Sequence, residues 1–159
     1  MFSGSIPKIA NESRQTEGDG GQQLAFSVVI PIFNERENLP LLCPRLTKVM
    51  DALKRSYEVI LVDDGSSDGS FEFIREVHRL DHRIKGIRLR RNFGQTAAFS
   101  AGFDHAQGEI VITMDADLQN HPEDVPLLLN KVDEGYDVVS GWRAHRKDPF
   151  LTRKLPSQL

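Results

Sequence analysis

Short apolar runs alternate along the chain with longer stretches in which apolar residues recur at helical spacing. Four of the runs are nearly continuous, as strands of a parallel sheet are when both of their faces are covered. A further run alternates basic and apolar residues, which is typical of a half-exposed strand. Together the runs predict five strands, at residues 26–31, 57–62, 83–90, 110–114 and 136–141.

The stretches between these runs predict helices. The first begins near Asn38 and has Pro40 in its first turn, where a helix accepts proline. Because Pro44 interrupts its apolar stripe, this helix is expected either to start late or to bend. Small residues within 96–103 predict a helix that packs closely against the sheet. The alternation of strands and helices predicts an α/β fold with an open, mostly parallel sheet and helices on both faces.

The chain of 159 residues is long enough for one domain with its own core. Residues 1–24 lack a hydrophobic period and the pattern of a secretory signal, so we expect a disordered tail without a function. Residues 25–143 carry the predicted strands and helices and form the expected domain. Residues 144–159 form a basic C-terminal segment.

Composition narrows the classes of function. A formal net charge of only −3 does not indicate a nucleic-acid partner. The single cysteine, Cys43, excludes an internal disulfide and any cysteine metal cluster, and it fits a reducing compartment. No apolar run approaches the ~20 residues of a membrane-spanning helix.

Two acids, Asp115 and Asp117, follow the predicted strand 110–114 directly. Residues two apart in a strand point to the same side, so both carboxylates are expected to meet at one point. Carboxylate oxygens suit a hard divalent ion such as Mg²⁺ or Mn²⁺, which commonly also holds a substrate phosphate. A strand that simply ends in a polar turn explains an isolated pair of this kind equally well.

Polar residues follow three of the predicted strands, and the carboxyl ends of parallel strands lie at one edge of a sheet, where ligands of such folds bind. The chain has neither a G-x-G-x-x-G turn nor a P-loop lysine motif, so ordinary NAD and ATP sites are not supported. Asp64 is suited to accept hydrogen bonds from a base or a ribose, and Arg143 to face a diphosphate. The three polar clusters are Asn34–Glu35, Asp63–Asp64 and Asp115–Asp117.

Four motifs occur in order at natural spacing: P-I-F-N-E at 31–35, V-D-D-G-S-S-D-G-S at 62–70, R-N-F-G-Q-T-A-A at 91–98 and D-A-D-L-Q-N-H-P-E at 115–123. In these motifs the chain resembles the GT-A domain of family 2 glycosyltransferases over roughly residues 26–159. The branch it resembles contains the polyprenyl-phosphate sugar transferases, relatives of dolichol-phosphate mannosyltransferase and of bacterial bactoprenol glucosyltransferases.

The resemblance implies a role for each matching residue. Asp115 and Asp117 would form a catalytic D-x-D site for Mg²⁺ or Mn²⁺, with Gln119 as a further ligand. Asp64 would contact the base, and Arg143 would be a catalytic residue facing the phosphates. The remaining residues of the expected nucleotide-sugar pocket are Pro31, Phe33, Asn34, Glu35, Gly65 and Ser66.

The reaction implied is the inverting, metal-dependent transfer of a hexose from a UDP- or GDP-sugar to a dolichyl or undecaprenyl phosphate, at the cytoplasmic face of a membrane. In the family, an acceptor half and transmembrane helices follow the R-K-L-P-S found here at 153–157. The chain is therefore expected to be a truncated or split transferase that binds donor and metal but turns over poorly alone. A non-catalytic nucleotide-sugar-binding or partner module and a metal-dependent nucleotidyltransferase remain as alternatives. Sugar, base, lipid and oligomeric state are left open.

Overall fold

The computed structural model describes residues 23–141, which form a four-stranded parallel sheet with helices on both faces. The strands are arranged in the order β3-β2-β1-β4. Their bounds are Phe26–Ile32 (β1), Tyr57–Asp63 (β2), Ile84–Arg88 (β3) and Ile110–Thr113 (β4). The helices are Leu39–Ala52 (α1), Ser70–Leu80 (α2), Gln95–His105 (α3) and Val125–Asp133 (α4), and a 3₁₀ turn at Pro122–Asp124 precedes α4.

The two central strands separate two apolar cores. Side chains of a strand alternate between faces, and in β1 Val28 and Ile30 pack with α1, α2 and α4 on one face. Val29 lies on the other face with Val62 of β2 and Ala98 of α3. The predicted fold class, an open parallel sheet covered on both faces, is therefore confirmed.

Helix α3 lies unusually close to the sheet at Gly102. A Cβ atom added to Gly102 would lie 2.2 Å from Cγ1 of Val29 and 3.3 Å from Cγ2 of Val62. Only glycine leaves room for this contact. The close packing of α3 on the sheet agrees with the prediction made from the small residues of 96–103. The approach fixes α3 against β1 and β2, and its first residue, Gln95, lies at the carboxyl edge of the sheet.

Helix α1 starts at Leu39, next to Asn38 as predicted, and continues through Pro44 to Ala52. Of the two alternatives expected from Pro44, a late start or a bend, the late start is therefore excluded. Pro44 removes one helical hydrogen bond, but the first turn buries Leu39 and Leu42 completely. Burying two leucines is worth about 3–6 kcal/mol, which outweighs the lost bond. Cys43 also packs in this core, where burial raises the pKa of its thiol to about 11.

The predicted fifth strand at 136–141 is wrong, because these residues are not in a strand. Tyr136 and Val138 are 57% and 86% exposed. Within residues 23–141, β4 lies at the edge of the sheet and pairs with β1 alone. An apolar run becomes a strand only when a neighbouring strand accepts its hydrogen bonds, and the described residues place none beside 136–141.

Candidate active site

A cavity of about 460 Å³ opens where β1, β2 and β4 end at the carboxyl edge of the sheet. It collects residues of all three strand-end motifs, as expected for a parallel α/β sheet. Its wall is completed by Asn92 and Gly94, from the connection between β3 and α3, and by Gln95, the first residue of α3. The predicted site residues that line it are Pro31, Phe33, Glu35, Asp64, Asp115 and Asp117.

Asn34 and Ser66 do not line this cavity but join the loops that follow β1 and β2. The backbone N–H of Asn34 donates to Oγ of Ser66 at 2.9 Å, and Oδ1 of Asn34 accepts from the N–H of Ser67 at 3.0 Å. A third bond runs from the N–H of Glu35 to Oγ of Ser70, at 3.0 Å. The two loops therefore form one hydrogen-bonded unit, and a nucleotide-binding role for Asn34 or Ser66 stays a prediction.

Gly65 lets the connection between β3 and α3 close over the end of β2. Its φ is +76°, and an added Cβ would lie 2.5 Å from the carbonyl carbon of Arg91 and 2.7 Å from the backbone nitrogen of Asn92. Both the torsion and the space require glycine. A contact of Gly65 with a nucleotide stays a prediction.

Asp64 is almost fully buried, with 3% of its surface exposed, and both of its carboxylate oxygens accept backbone hydrogen bonds. The N–H of Phe93 donates to Oδ1 at 2.7 Å, and the N–H of Gly94 donates to Oδ2 at 2.8 Å. Asp64 thus holds the connection that leads into α3. A carboxylate has about four acceptor positions, so these two bonds leave acceptor capacity toward the cavity.

The neighbouring acid, Asp63, is fully buried and has protein partners for both of its oxygens. Its Oδ1 accepts from the N–H of Ser66 at 3.1 Å, and Nε of Arg88 lies 3.3 Å from its Oδ2. Arg88 supplies the positive charge that a buried carboxylate needs. Of the two adjacent aspartates, Asp64 is therefore the one that reaches the cavity.

Asp115 and Asp117 both line the cavity, although they do not belong to the strand. β4 ends at Thr113, and residues 116–118 form a bend in which Leu118 has a φ of +61°. Ala116 is buried between the two acids, Asp115 is half-buried and Asp117 is exposed. The alternation of strand faces was therefore the wrong reason for expecting the acids to meet, since the bend after the strand brings them to the cavity.

Amide groups hold both acids in place. Nε2 of Gln95 donates to Oδ1 of Asp115 at 2.7 Å, and Nδ2 of Asn120 donates to Oδ2 at 3.2 Å. The backbone N–H of Gln119 donates to Oδ1 of Asp117 at 3.0 Å. Gln95 and Asn120 were not among the site residues predicted from the sequence, although both lie inside the motifs that carry the family resemblance.

The acids fit a metal ion whose coordination is completed by a substrate. Between residues 23 and 141 there is no cluster of three or more His, Cys, Asp or Glu side chains suited to hold a metal. Mg²⁺ sites of phosphate-handling enzymes commonly use one or two carboxylates together with substrate phosphates and water. Asp115 and Asp117 provide that minimal set of donors. A direct contact of Gln119 with such an ion stays a prediction.

A larger cavity of about 1440 Å³ lies beside β4 and is bounded on its far side by residues 132–141. Gln119 lines this cavity and not the smaller one, whereas Gln95 and Asp115 line both. Arg143, the basic segment 144–159 and most of the tail 1–24 lie outside the described residues. The predictions made for them are therefore untested.

Glycosyl transferase family 2 is the family whose sequence model matches this chain, over residues 27–159. The match covers most of the chain, and the chain therefore belongs to this family. Its sheet and covering helices form the GT-A fold, as the structural neighbours below show.

Two similar relatives within the family are undecaprenyl-phosphate sugar transferases. The chain is 50% identical over 134 residues to the undecaprenyl-phosphate 4-deoxy-4-formamido-L-arabinose transferase of Aeromonas hydrophila. It is 48% identical to the protein of the same name from Salmonella choleraesuis. Each alignment covers 84% of this chain but 41% of the relative, so the chain spans about two fifths of these relatives' length.

Solved structures share the fold. S. aureus TarS 1–349 in complex with UDP-GlcNAc superposes with a TM-score of 0.57 at 26% identity, over 70% of this chain and 32% of that one. Glucosyl-3-phosphoglycerate synthase of Mycobacterium tuberculosis, solved with Mn²⁺, UDP and phosphoglyceric acid, gives a TM-score of 0.53 at 23% identity, over 69% of this chain and 39% of that one. Between residues 23 and 141, no helix has both the length and the apolar character needed to cross a bilayer.

Proposed function

We propose that this chain is the donor-binding part of a glycosyltransferase that moves a sugar from a nucleoside diphosphate to undecaprenyl phosphate. The observation that carries the proposal is the shared cavity, to which three separate strand ends contribute Glu35, Asp64, Asp115 and Asp117. The relatives at about half identity are named for this lipid acceptor. TarS, which has the same fold, was solved with UDP-GlcNAc, and this favours a UDP-sugar over a GDP-sugar.

The sugar is better sought among pentoses than among the hexoses suggested by the family resemblance. Both relatives are named for 4-deoxy-4-formamido-L-arabinose, and arabinose is a pentose.

A transferase of this kind works beside its lipid acceptor, at a membrane surface. We propose the cytoplasmic face, where nucleotide-sugars are available.

In the proposed site, Asp115 and Asp117 would hold a Mg²⁺ or Mn²⁺ ion. That ion would neutralise negative charge on the departing nucleoside diphosphate. Phe33, 47% exposed at the cavity, offers a ring face on which a base can stack. Asp64 keeps the wall formed by 92–94 in place. The acceptor phosphate is already anionic, so transfer with inversion needs no strong general base.

Metal-dependent donor binding tests the proposal, with Asp117→Asn as the variant. Calorimetry with UDP- and GDP-sugars, in Mn²⁺ and in EDTA, should show binding by the unaltered chain only when the metal is present. Asp117→Asn should weaken that binding about 10-fold or more, because a carboxylate ligand of the ion is lost. Asp104→Asn is the matched control, because Asp104 is an exposed acid of α3 outside the cavity. The absence of donor binding at millimolar concentration would refute the proposal.

Product analysis separates the proposed transferase from the two alternatives. Incubation with donor and undecaprenyl phosphate should release a nucleoside diphosphate and form a glycosyl lipid, but slowly, because the chain spans about two fifths of its relatives' length. Donor binding without any product, also when membranes are added, would identify a binding module. Release of pyrophosphate would identify a nucleotidyltransferase.

A further inference from the structure

Gln95 contacts the acid pair from a different element of the fold. It is the first residue of α3, and its Nε2 donates to Oδ1 of Asp115 at 2.7 Å across 20 positions of sequence. Its side chain is exposed and lies where the two cavities adjoin, since Gln95 and Asp115 line both. Gln95 therefore reaches Asp115 within the wall that separates the cavities.

The position of Gln95 depends on Asp64. The N–H of Gly94, the residue before Gln95, donates to Oδ2 of Asp64 at 2.8 Å. Gly94 has a φ of +95°, a torsion that glycine adopts readily, and this turns the chain into α3. A buried carboxylate at the end of β2 thus fixes the point from which Gln95 reaches the acid that follows β4.

The chemistry of the donor matters as much as its position. The side-chain amides of Gln95 and Asn120 are neutral, and each donates a hydrogen bond to a different oxygen of Asp115. The two bonds together fix the plane of the Asp115 carboxylate. A lysine or arginine in the same place would neutralise the acid and compete with a cation. Amide donors orient the carboxylate and leave its negative charge and its other acceptor positions available.

We propose that Gln95 is a positioning residue that acts through Asp115, holding its carboxylate in the orientation that a divalent cation and its diphosphate require. This inference rests on the proposed function. It adds the first residue of α3 to a site otherwise assigned to the acids that follow β4. It also makes Asp64 a remote support of that site, in addition to any contact it makes with a ligand.

The test measures ion binding and folding separately, on the full chain. Free Mn²⁺ is followed by electron paramagnetic resonance during titration with and without UDP, and thermal unfolding is recorded in EDTA. Gln95→Ala should raise the Kd for Mn²⁺ about 10- to 100-fold, the usual effect of removing a group that orients a metal ligand. Its midpoint of unfolding should stay within about 1–2 °C of the unaltered chain, because an exposed side chain contributes little to stability.

Two further variants make the result specific. Gln95→Met keeps the length of the side chain but has no donor, and it should lose Mn²⁺ affinity as Gln95→Ala does. Gln107→Ala is the matched control, because Gln107 is an exposed glutamine beyond the far end of α3, and its Mn²⁺ affinity should equal that of the unaltered chain.

The outcomes distinguish this inference from the proposed function. Unchanged Mn²⁺ affinity in Gln95→Ala, or full affinity in Gln95→Met, would overturn the role of Gln95 while leaving the transferase proposal in place. Failure of the unaltered chain itself to bind Mn²⁺ with UDP would overturn both.

Discussion

Replacing Asp64 by asparagine tests how far the architecture of the cavity depends on one carboxylate. Asp64→Asn preserves the shape of the side chain but converts one acceptor oxygen into an N–H₂ group. That group would face the N–H of Phe93 or the N–H of Gly94, both of which now donate to the carboxylate. One backbone donor at the end of the β3–α3 connection would lose its partner.

The expected loss in the free energy of unfolding follows from the two hydrogen bonds that Asp64 accepts. A hydrogen bond to a charged acceptor contributes about 1.5–3 kcal/mol, and a neutral one about 0.5–1.5 kcal/mol. Asp64→Asn loses one charged bond and converts the other into a neutral one. We therefore expect the free energy of unfolding to fall by about 2–4 kcal/mol, which a domain with a typical stability of about 5–15 kcal/mol survives.

Urea denaturation gives the change in the free energy of unfolding, and amide hydrogen exchange locates it. The exchange rates of the Phe93 and Gly94 amides should rise much more than those of amides within β1. Asp104→Asn serves again as the control and should change neither measurement. A change in stability below about 0.5 kcal/mol, the size expected for an ordinary surface substitution, together with unchanged exchange at Phe93 and Gly94, would refute this account of Asp64.

Two other substitutions test contacts of the scaffold. Glu58 is buried, and burial by itself raises the pKa of its carboxyl. The ion pair with Lys85 and the hydrogen bonds from the Ser27 hydroxyl and the N–H of Gln107 lower that pKa. Together these partners outweigh burial and hold the pKa of Glu58 below its usual value. The stability that Glu58 contributes is therefore fully present above the unfolded-state pKa of about 4.3 and is lost as the pH falls through the lower folded-state pKa. Urea titrations at several pH values should show that Glu58→Gln reduces this loss of stability at acidic pH. An unchanged loss of stability at acidic pH would contradict the role assigned to Glu58. Gly102→Ala should lower the free energy of unfolding by up to about 2 kcal/mol. Crowding against Val29 at 2.2 Å costs about 1–3 kcal/mol, while alanine regains about 1 kcal/mol of helix propensity. A stabilised variant would show that α3 can move away from the sheet at no cost.

The sequence predicted the parts of the fold that depend on local pattern. Continuous apolar runs identified β1 and β2, because strands buried on both faces need apolar residues at nearly every position. The run of β4 also forms a strand, but the expectation that both of its faces are covered is wrong, since within residues 23–141 β4 lies at the edge of the sheet and leaves Val111 and Thr113 exposed. The run at 136–141 has a similar pattern, but within residues 23–141 it does not pair with the open edge of β4, and an apolar run without hydrogen-bonded partners does not form a strand. For α1, the start near Asn38 was predicted correctly, and the alternative of a late start is excluded because the burial of Leu39 outweighs the hydrogen bond that Pro44 removes.

The candidate site was predictable to the level of strand ends but not of individual contacts. Parallel topology alone places Glu35, Asp64 and Asp117 at the same edge of the sheet. The bond between Gln95 and Asp115 could not be predicted, because it depends on the torsion at Gly94 and on the two amides that Asp64 holds. Nor does the pattern distinguish Asp63 from Asp64, since the partner of Asp63 is Arg88, 25 positions further along the chain.

The bonds that join the loops after β1 and β2 bear on the thermodynamics of ligand recognition. Three hydrogen bonds at 2.9–3.0 Å link the two loops before any ligand arrives: Asn34 bonds to Ser66 and Ser67, and Glu35 bonds to Ser70. Immobilising a free side chain on association costs about 0.5–1.5 kcal/mol, and groups that are already immobile avoid this cost. A small molecule that contacts the cavity residues of the loop after β1, Phe33 and Glu35, should therefore bind with little unfavourable conformational entropy, which makes nucleoside fragments a suitable starting point for inhibitors.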